Sequence, residues 1–308
     1  MPGKAIEGRS LGQIAWMRLR RDKVAMGGGI VVIFLILVAI VGPHLVQNPD
    51  TYHPNLINPT FLRPNGTFGG ISLAHPLGVE PETGRDLLAR IVVGAQYSLL
   101  IAFFSTLLAV GLGTFFGVIA GYLGGWVDSL IARAMDVFLA FPLLVFALAL
   151  AGVIPTSGFG LSGNALRIAV LIFVIGFFNW PYMGRIIRGQ TLSLREREFV
   201  DAARSLGARG PYILFRELLP NMVGPILVYS TLLIPTNIIF EASLDFLGVG
   251  IIPPTPSWGQ MLATAVTQGF YYVDPMYMII PGLAIFLTVL AFNLFGDGLR
   301  DALDPRGR

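Results

Sequence analysis

Residues 185–221 read RIIRGQTLSLREREFVDAARSLGARGPYILFRELLPN and carry seven arginines. On either side lie stretches without any Asp, Glu, Lys or Arg, residues 168–184 and 218–240. The segment is therefore a charged interruption between two apolar ones. From Glu196 to Leu206 it has helical spacing: Phe199, Ala202, Ala203 and Leu206 fall at i, i+3, i+4 and i+7 and make one small apolar face. Arg195, Arg197 and Arg204 surround that face with charge. Gly207 and Gly210 stop the helix, Pro211 is suited to begin another, and Pro220 marks the start of the next apolar stretch. The expected element is a short helix–turn–helix outside any membrane. Its two adjacent alanines let a partner surface approach closely, as in helix-in-groove recognition.

The composition places this loop in an integral membrane protein. Of 308 residues, 13% are charged, about half the share of a soluble domain. Apolar residues make up 54%, and there are 37 glycines. A soluble fold of this size needs a charged skin that the chain cannot supply. The net charge of +3 is too small, and too clustered, for nucleic-acid binding by a basic surface.

A bilayer core needs roughly 20 consecutive apolar residues as helix. Gaps between charges place six spans near 25–46, 97–121, 134–155, 167–187, 222–249 and 275–297. The stretch 251–274 is also poor in charge, but Pro253, Pro254 and Pro256 break it, so it reads as a loop or re-entrant turn. With the N-terminus inside, 17 of the 21 basic residues fall in cytoplasmic segments; only Arg63, Arg85, Arg90 and Arg167 fall outside. That asymmetry predicts two cytoplasmic termini. The organisation follows: a cytoplasmic amphipathic segment 1–24, a first span 25–46, an extracytoplasmic loop 47–96, a five-helix core 97–297 carrying the cytoplasmic loop 188–220, and a cytoplasmic tail 298–308.

The first span follows a basic flank and shows no small-residue cleavage site, so it reads as an uncleaved anchor. Ahead of it, Ser10 to Lys23 looks helical, with Ser10 and Gln13 fitting a capping box; it either lies on the inner leaflet or serves as a basic topological flank. Six prolines run through the outer loop, which is too short for an enzyme domain of its own. Its end, Arg85 to Gln96, puts Leu87, Leu88, Ile91, Val92 and Ala95 on one face, the pattern of a helix packed on the membrane surface or on the chain's own spans.

Chemistry is constrained by what is missing. There is no cysteine, and His44, His53 and His75 do not pair at metal-ligand spacing, so no metal site is expected. The only lysines, Lys4 and Lys23, have no glycine-rich phosphate loop before them. No catalytic residues are assigned, and no cofactor is expected in this chain. Energy for any transport must come from a partner or an ion gradient.

Three motifs resemble one family. Asp201-Ala202-Ala203, then Gly207 after three residues, then Leu219-Pro220, resembles the EAA loop of ABC importer permeases. Asp201 stands where Glu is usual there, and Glu217 where His or an apolar residue is more typical. Residues 75–99, HPLGVEPETGRDLLARIVVGAQYSL, resemble the outer-loop signature of the C-type permease subunit of dipeptide and oligopeptide importers, with Val79-Glu80 in place of Thr-Asp and one extra residue before Gly84. Residues 241–262, EASLDFLGVGIIPPTPSWGQML, resemble a signature that follows span five in the same subunits. The resemblance covers essentially the whole chain. It implies an all-α membrane protein of the type I ABC importer permease fold, in the cytoplasmic membrane of a prokaryote. It implies a homologous second permease, two ABC ATPase subunits that bind ATP and Mg, an extracytoplasmic substrate-binding protein and a peptide substrate. Phe199, Asp201, Ala202, Ala203, Arg204, Leu206 and Gly207 would form the helix that docks on the ATPase. Permeases of this kind also import nickel and other small solutes, which leaves the cargo open.

Polar residues within spans are candidates for the translocation path or gate. Asp136 lies near the inner start of span three. Glu241 and Asp245 are four apart and share a face late in span five. They would line the path, relay protons in a proton-coupled carrier, or sit at the outer interface satisfied by Asn237, backbone or water. Asn179 and Asn237 are mid-span amides, suited either to bond between helices or to touch substrate. Pro142, Pro181, Pro225 and Pro235 read as kinks, and Gly111, Gly113, Gly117, Gly121 and Gly124 as close-packing positions. Phe68 and Trp258 are outer-loop aromatics, suited to a docking partner or, for the Trp, to the membrane's aromatic belt.

Overall fold

The computed structural model describes residues 11–151 and 157–303. Ser10 with its expected capping role, the last residues of the third expected span at 152–155, and Lys4, Arg9, Arg306 and Arg308 lie outside the described residues.

The chain is built from helices. α1 (Leu11–Leu19) ends before Asp22, whose carboxylate Oδ1 accepts from the N–H groups of Val24 and Ala25 at 2.9 and 3.0 Å and starts α2 (Lys23–Val41). The basic flank is thus one short helix and a cap rather than one continuous helix. α1 and α2 both pack on the C-terminal helix, with Leu19, Ala25 and Ala302 in one cluster. The following segment runs through turns to Asp86, which caps α3 (Leu87–Leu123) by accepting from Ala89 N–H at 2.6 Å.

At 37 residues and roughly 1.5 Å each, α3 is far longer than a bilayer core about 30 Å thick. It begins ten residues before the charge gap suggests, because its early arginine, Arg90, is fully buried among partners rather than marking a membrane edge. The Arg85–Gln96 stretch is therefore no separate surface helix but the first turns of α3, packed on the chain itself.

The third expected span is broken. α4 (Gly125–Ala140) and α5 (Leu143–Ala151) meet at 74°. Pro142 lacks an N–H and holds Phe141 extended, at φ −79° and ψ 125°. After a two-residue hairpin, β1 (Ser157–Gly158) and β2 (Leu161–Ser162), α6 (Gly163–Leu194) returns with Pro181 inside it. Next come α7 (Glu198–Ser205) and α8 (Gly210–Tyr212), which passes through a π-helical turn, Ile213–Leu218, into α9 (Leu219–Phe246). The stretch read as a loop forms α10 (Trp258–Thr267) and α11 (Phe270–Val273); the prolines stand before α10, and Ser257 caps it. α12 (Met276–Leu303) closes the bundle. Among the described residues, five helices are long and apolar enough to span a membrane, six if α4 and α5 count as one.

α3 and α6 form the central pair. Gly113, Gly117 and Gly121 recur every fourth residue on α3 and face Met183, Gly184, Ile187 and Thr191 of α6. A Cβ on Gly117 would lie 2.6 Å from the Gly184 carbonyl, so the backbones meet as small-residue helix pairs do in membranes. Gly111 faces open space and takes no part in that packing. On the outside of the bundle, Ile30, Ile33, Phe34 and Leu37 of α2 are exposed in an unbroken apolar surface that only lipid or another apolar chain would cover.

Candidate docking surface and buried carboxylates

α7 sits at the end of the bundle where α3 finishes, held chiefly by Val200 with Ala203 packed beside it. Val200 is fully buried with Ile187, Ile213, Leu218 and Met222. With Val200 turned inward, the Phe199, Ala202, Ala203 and Leu206 face turns largely outward: Ala202 is exposed, Leu206 is 89% exposed, and only Ala203 is half-buried. Gly207 ends the helix at φ +81°; its N–H donates to the Arg204 carbonyl at 2.9 Å and the Ala208 N–H to the Ala203 carbonyl at 3.0 Å. That pair of bonds is the Schellman closure, which needs a left-handed residue at this position. The chain then turns into α8, with Pro211 in its first turn as expected. α7, this turn and Glu217 line a concavity of about 630 Å³ whose walls include Phe199, Ala202, Leu206 and Tyr212. Asp201 and Arg204 pair at 3.1 Å on the exposed side.

Ionic contacts fix the helices around it. Asp128 of α4 pairs with Arg188 of α6, with a second bond at 2.6 Å, and Arg195 Nη1 donates to the Gly121 carbonyl at 2.9 Å. Asp136, a path candidate, pairs with Arg185 across the α4–α6 contact, both about half exposed.

The other end is ordered by buried charge. Glu80 is 1% exposed; it accepts from Thr83 Oγ1 at 2.6 Å, from Arg85 Nε, and from Tyr277 Oη at 2.5 Å, with Arg90 Nε 3.9 Å away. Burial would raise its pKa, but Arg90, Arg85 and Thr83 together hold it below the ordinary 4.5. Burial likewise works to lower the Arg85 pKa, and the bond to Glu80 overrides it and raises it. Arg90 Nη1 donates to the Pro254 carbonyl at 3.2 Å, joining α3 to the proline segment. Arg167 donates to the carbonyls of Val249 and Gly250 at this same end.

Glu241 and Asp245 do share a face of α9, but it points into the protein. Glu241 is fully buried and Asp245 is 3% exposed, between α3, α9 and α10. Ser98 Oγ donates to Glu241 at 3.1 Å; Asp245 accepts from Ser257 Oγ and, at 2.8 Å, from Ile251 N–H. Of the partners expected at an outer interface, the backbone serves Asp245 through Ile251 N–H, and Asn237 serves neither carboxylate. It accepts from Asn179 Nδ2 at 3.0 Å and donates to Thr106 at 2.8 Å, a chain of amides and hydroxyl linking α6, α9 and α3. Trp258 is likewise no belt residue; it is 1% exposed and donates through Nε1 to the Ile91 carbonyl at 3.0 Å. Phe68 is 68% exposed.

Sequence reasoning passed over Val200, because the helical face it traced was the exposed one. It also passed over Glu80 and Tyr277 as a pair 197 residues apart. The available signal was Arg90, a charge four residues into an apolar helix that had to find a partner.

A bundle of helices long and apolar enough to cross a membrane, with a small helix displayed at one end, defines a multi-pass membrane protein. The chain belongs to the family described as binding-protein-dependent transport system inner membrane component, which matches residues 113–308; residues 10–64 match the N-terminal transmembrane domain of oligopeptide transport permease C. It is a permease of the ABC importer class. Curated relatives include the glutathione transport system permease protein GsiD of Escherichia coli O6:K15:H31 (strain 536 / UPEC) and that of Shigella boydii serotype 4 (strain Sb227), each 43% identical over 295 residues, covering 94% of this chain and 89% of theirs. Among solved structures, a chain of the MetNI methionine ABC transporter in inward-facing form matches with a TM-score of 0.55 at 18% identity, covering 70% of this chain and 96% of its own. That likeness bears on fold alone: it is the type I importer permease fold. The relatives are bacterial, and the family is one of inner-membrane proteins.

Proposed function

We propose that this chain forms half of the path of an ATP-driven importer of dipeptides and oligopeptides, and that α7 is its coupling helix. The displayed alanine ridge carries the reading. Phe199, Ala202 and Leu206 expose apolar surface that the chain itself leaves uncovered, and the concavity beside them fits a rigid partner surface. In this reading the α7 end and both termini are cytoplasmic, in agreement with the distribution of arginines. Two ABC ATPases bind ATP and Mg and seat on Phe199, Asp201, Ala202, Ala203, Arg204, Leu206 and Gly207. A homologous permease completes the path, and an extracytoplasmic binding protein delivers the cargo. The permease does no hydrolytic chemistry itself. ATP-driven closure of the ATPases pushes α7, and Val200 passes that push to α6 and α9 through the cluster they share. The switch has force only because the partners bind the two states of the bundle unequally. Peptide cargo is supported by the oligopeptide-permease domain over residues 10–64 and by the named cargo of the curated relatives.

Ala202→Arg tests the coupling. Ala202 is exposed, whereas Ala203 is half-buried, so the arginine at 202 spares the fold. Reconstituted transport and ATPase stimulation should fall at least tenfold with membrane abundance unchanged; normal transport would refute the coupling role. Uptake of a labelled dipeptide, competed by unlabelled peptides but not by nickel, tests the cargo.

A further inference from the structure

The segment 58–69 and the start of α12 enclose a pocket of about 610 Å³ at the charged end of the bundle, away from α7. Its lining carries opposite charges. Arg63 stands on the loop side, and its guanidinium makes no ion pair or hydrogen bond with any described residue; it rests 5.2 Å from the ring centroid of Phe61. Asp274 stands on the helix side. It is 4% exposed; Oδ1 accepts from Met276 N–H at 3.2 Å, while buried Oδ2 has no hydrogen-bond partner among the described residues. A buried carboxylate oxygen without a donor is costly and points to an occupant that supplies one. Residue 69 is a glycine, and a Cβ there would come 2.6 Å from Oδ2, so the approach to the carboxylate is left free of a side chain. The backbone N–H groups of Gly66, Phe68 and Gly69, which line the pocket with Arg63, donate to no described group. Phe68 and Val273 add apolar wall.

We propose that this pocket binds the two charged ends of a short peptide, the ammonium at Asp274 and the carboxylate at Arg63 and the adjacent free amides. A lone anion would face Asp274 and a lone cation would face Arg63; a zwitterion answers both. The peptide's side chains meet Phe68 and Val273. The pocket gives the outer loop a role as a holding site for cargo beside the path. The inference rests on the peptide reading above and extends it to a second place of contact.

Isothermal titration of the full-length chain in nanodiscs with Ala-Ala, N-acetyl-Ala-Ala and Ala-Ala amide tests it. Ala-Ala should bind, and each capped form should bind about tenfold more weakly, since each loses one charge-assisted contact. Arg63→Gln should weaken Ala-Ala about tenfold as well; the Arg63 side chain is exposed and its backbone bond from Asn58 N–H is untouched, so the variant folds. Asp274→Asn should weaken Ala-Ala and Ala-Ala amide and leave N-acetyl-Ala-Ala unchanged, whereas Arg63→Gln should weaken Ala-Ala and N-acetyl-Ala-Ala and leave the amide unchanged. The proposal is overturned if wild type does not bind Ala-Ala, if capping has no effect, or if Arg63→Gln binds as wild type does, which would place the peptide elsewhere. Because the titration needs neither ATPase nor transport, a failure here with peptide uptake intact removes the pocket alone. Binding here with uptake that ignores peptides removes the cargo assignment instead.

Discussion

At one end of α3, Glu80 gathers Thr83, Arg85 and Tyr277 around a carboxylate that is 1% exposed, with Arg90 close behind. At the other, Asp201 and Arg204 pair at 3.1 Å with roughly half or more of each side chain in solvent, on a helix fastened by Val200. The first end spends its charges inward and keeps its surface shape independent of any partner. The second keeps charge at the rim, hides one valine with Ala203 half-buried beside it, and turns the rest of its apolar face outward. An end that must hold a loop against the bundle is over-determined; an end that must move with something else is tied at one point. Substitutions at the two ends should therefore fail in different ways.

The largest effect belongs to Glu80→Ala. It leaves Arg85 and Arg90 with only the more distant Asp50 carboxylate, at 3.8 and 3.6 Å, as a charge partner, and a buried pair that loses one member costs about 3–5 kcal/mol. The variant should lose its thermal transition in detergent, or fail to accumulate. The wild-type end should also be acid-sensitive in a defined sense. Glu80 titrates below 4.5 in the folded protein, so its contribution is fully present above 4.5 and drains away as pH falls through the lower folded value. Limited proteolysis of the 47–86 loop should accelerate only below about pH 4.5, with cuts at the α7 end unchanged over that range. Acceleration of both together would dissolve the contrast.

That contrast was half legible in the sequence. The arginine-rich loop, its helix, its glycine stop and its proline restart are local signals, set by spacing within about a dozen residues, and the chain folds as they say. The six apolar stretches were legible for the same reason. What escaped was non-local. Arg90 reads as a membrane boundary until Glu80 and the Pro254 carbonyl are brought to it, which is why α3 begins ten residues before the expected span. Glu241 and Asp245 share a face on any helical wheel, but a wheel does not say that α3 and α10 cover that face. The break at Pro142 was visible as a kink residue and not as a 74° turn, because the angle depends on what α5 packs against.

Val200→Ala comes next. Removing two buried methyl groups from the cluster with Ile187, Ile213, Leu218 and Met222 should cost about 2 kcal/mol, less than the loss at Glu80. The loss should be local. Hydrogen exchange should quicken across 198–207 while the α3–α6 amides keep their protection, and ATPase stimulation should fall because α7 no longer pushes on the bundle. Unchanged exchange in α7 would mean that it is held by more than this one residue.

Gly207→Ala is smaller again. No atom lies within 4 Å of a Cβ there, so the cost is only that of holding alanine at φ +81°, about 1 kcal/mol. Fraying of the last turn of α7, seen as faster exchange at Gly207 and Ala208, is the expected reading; an equal Tm loss at Gly111→Ala, a helical glycine in open space, would show that ordinary substitution and not the left-handed turn is being measured.

The smallest stability effect should come from Asp201→Asn. The pair with Arg204 is exposed, and exposed i,i+3 pairs are worth a few tenths of a kcal/mol at most. Thermal stability should stay within about 0.5 kcal/mol of wild type. If α7 meets a partner through its exposed face, however, the same substitution removes a rim charge at the contact. Rim charges act mainly on association and on its salt dependence. Binding of the ATPase subunits should therefore weaken modestly, and its dependence on ionic strength should flatten, while the folded permease is unaltered. A residue that stabilises nothing in its own chain yet changes how a partner binds belongs to an interface; if Asp201→Asn alters neither Tm nor the salt dependence of ATPase binding, the carboxylate lies outside it and the docking surface contracts to the alanine ridge.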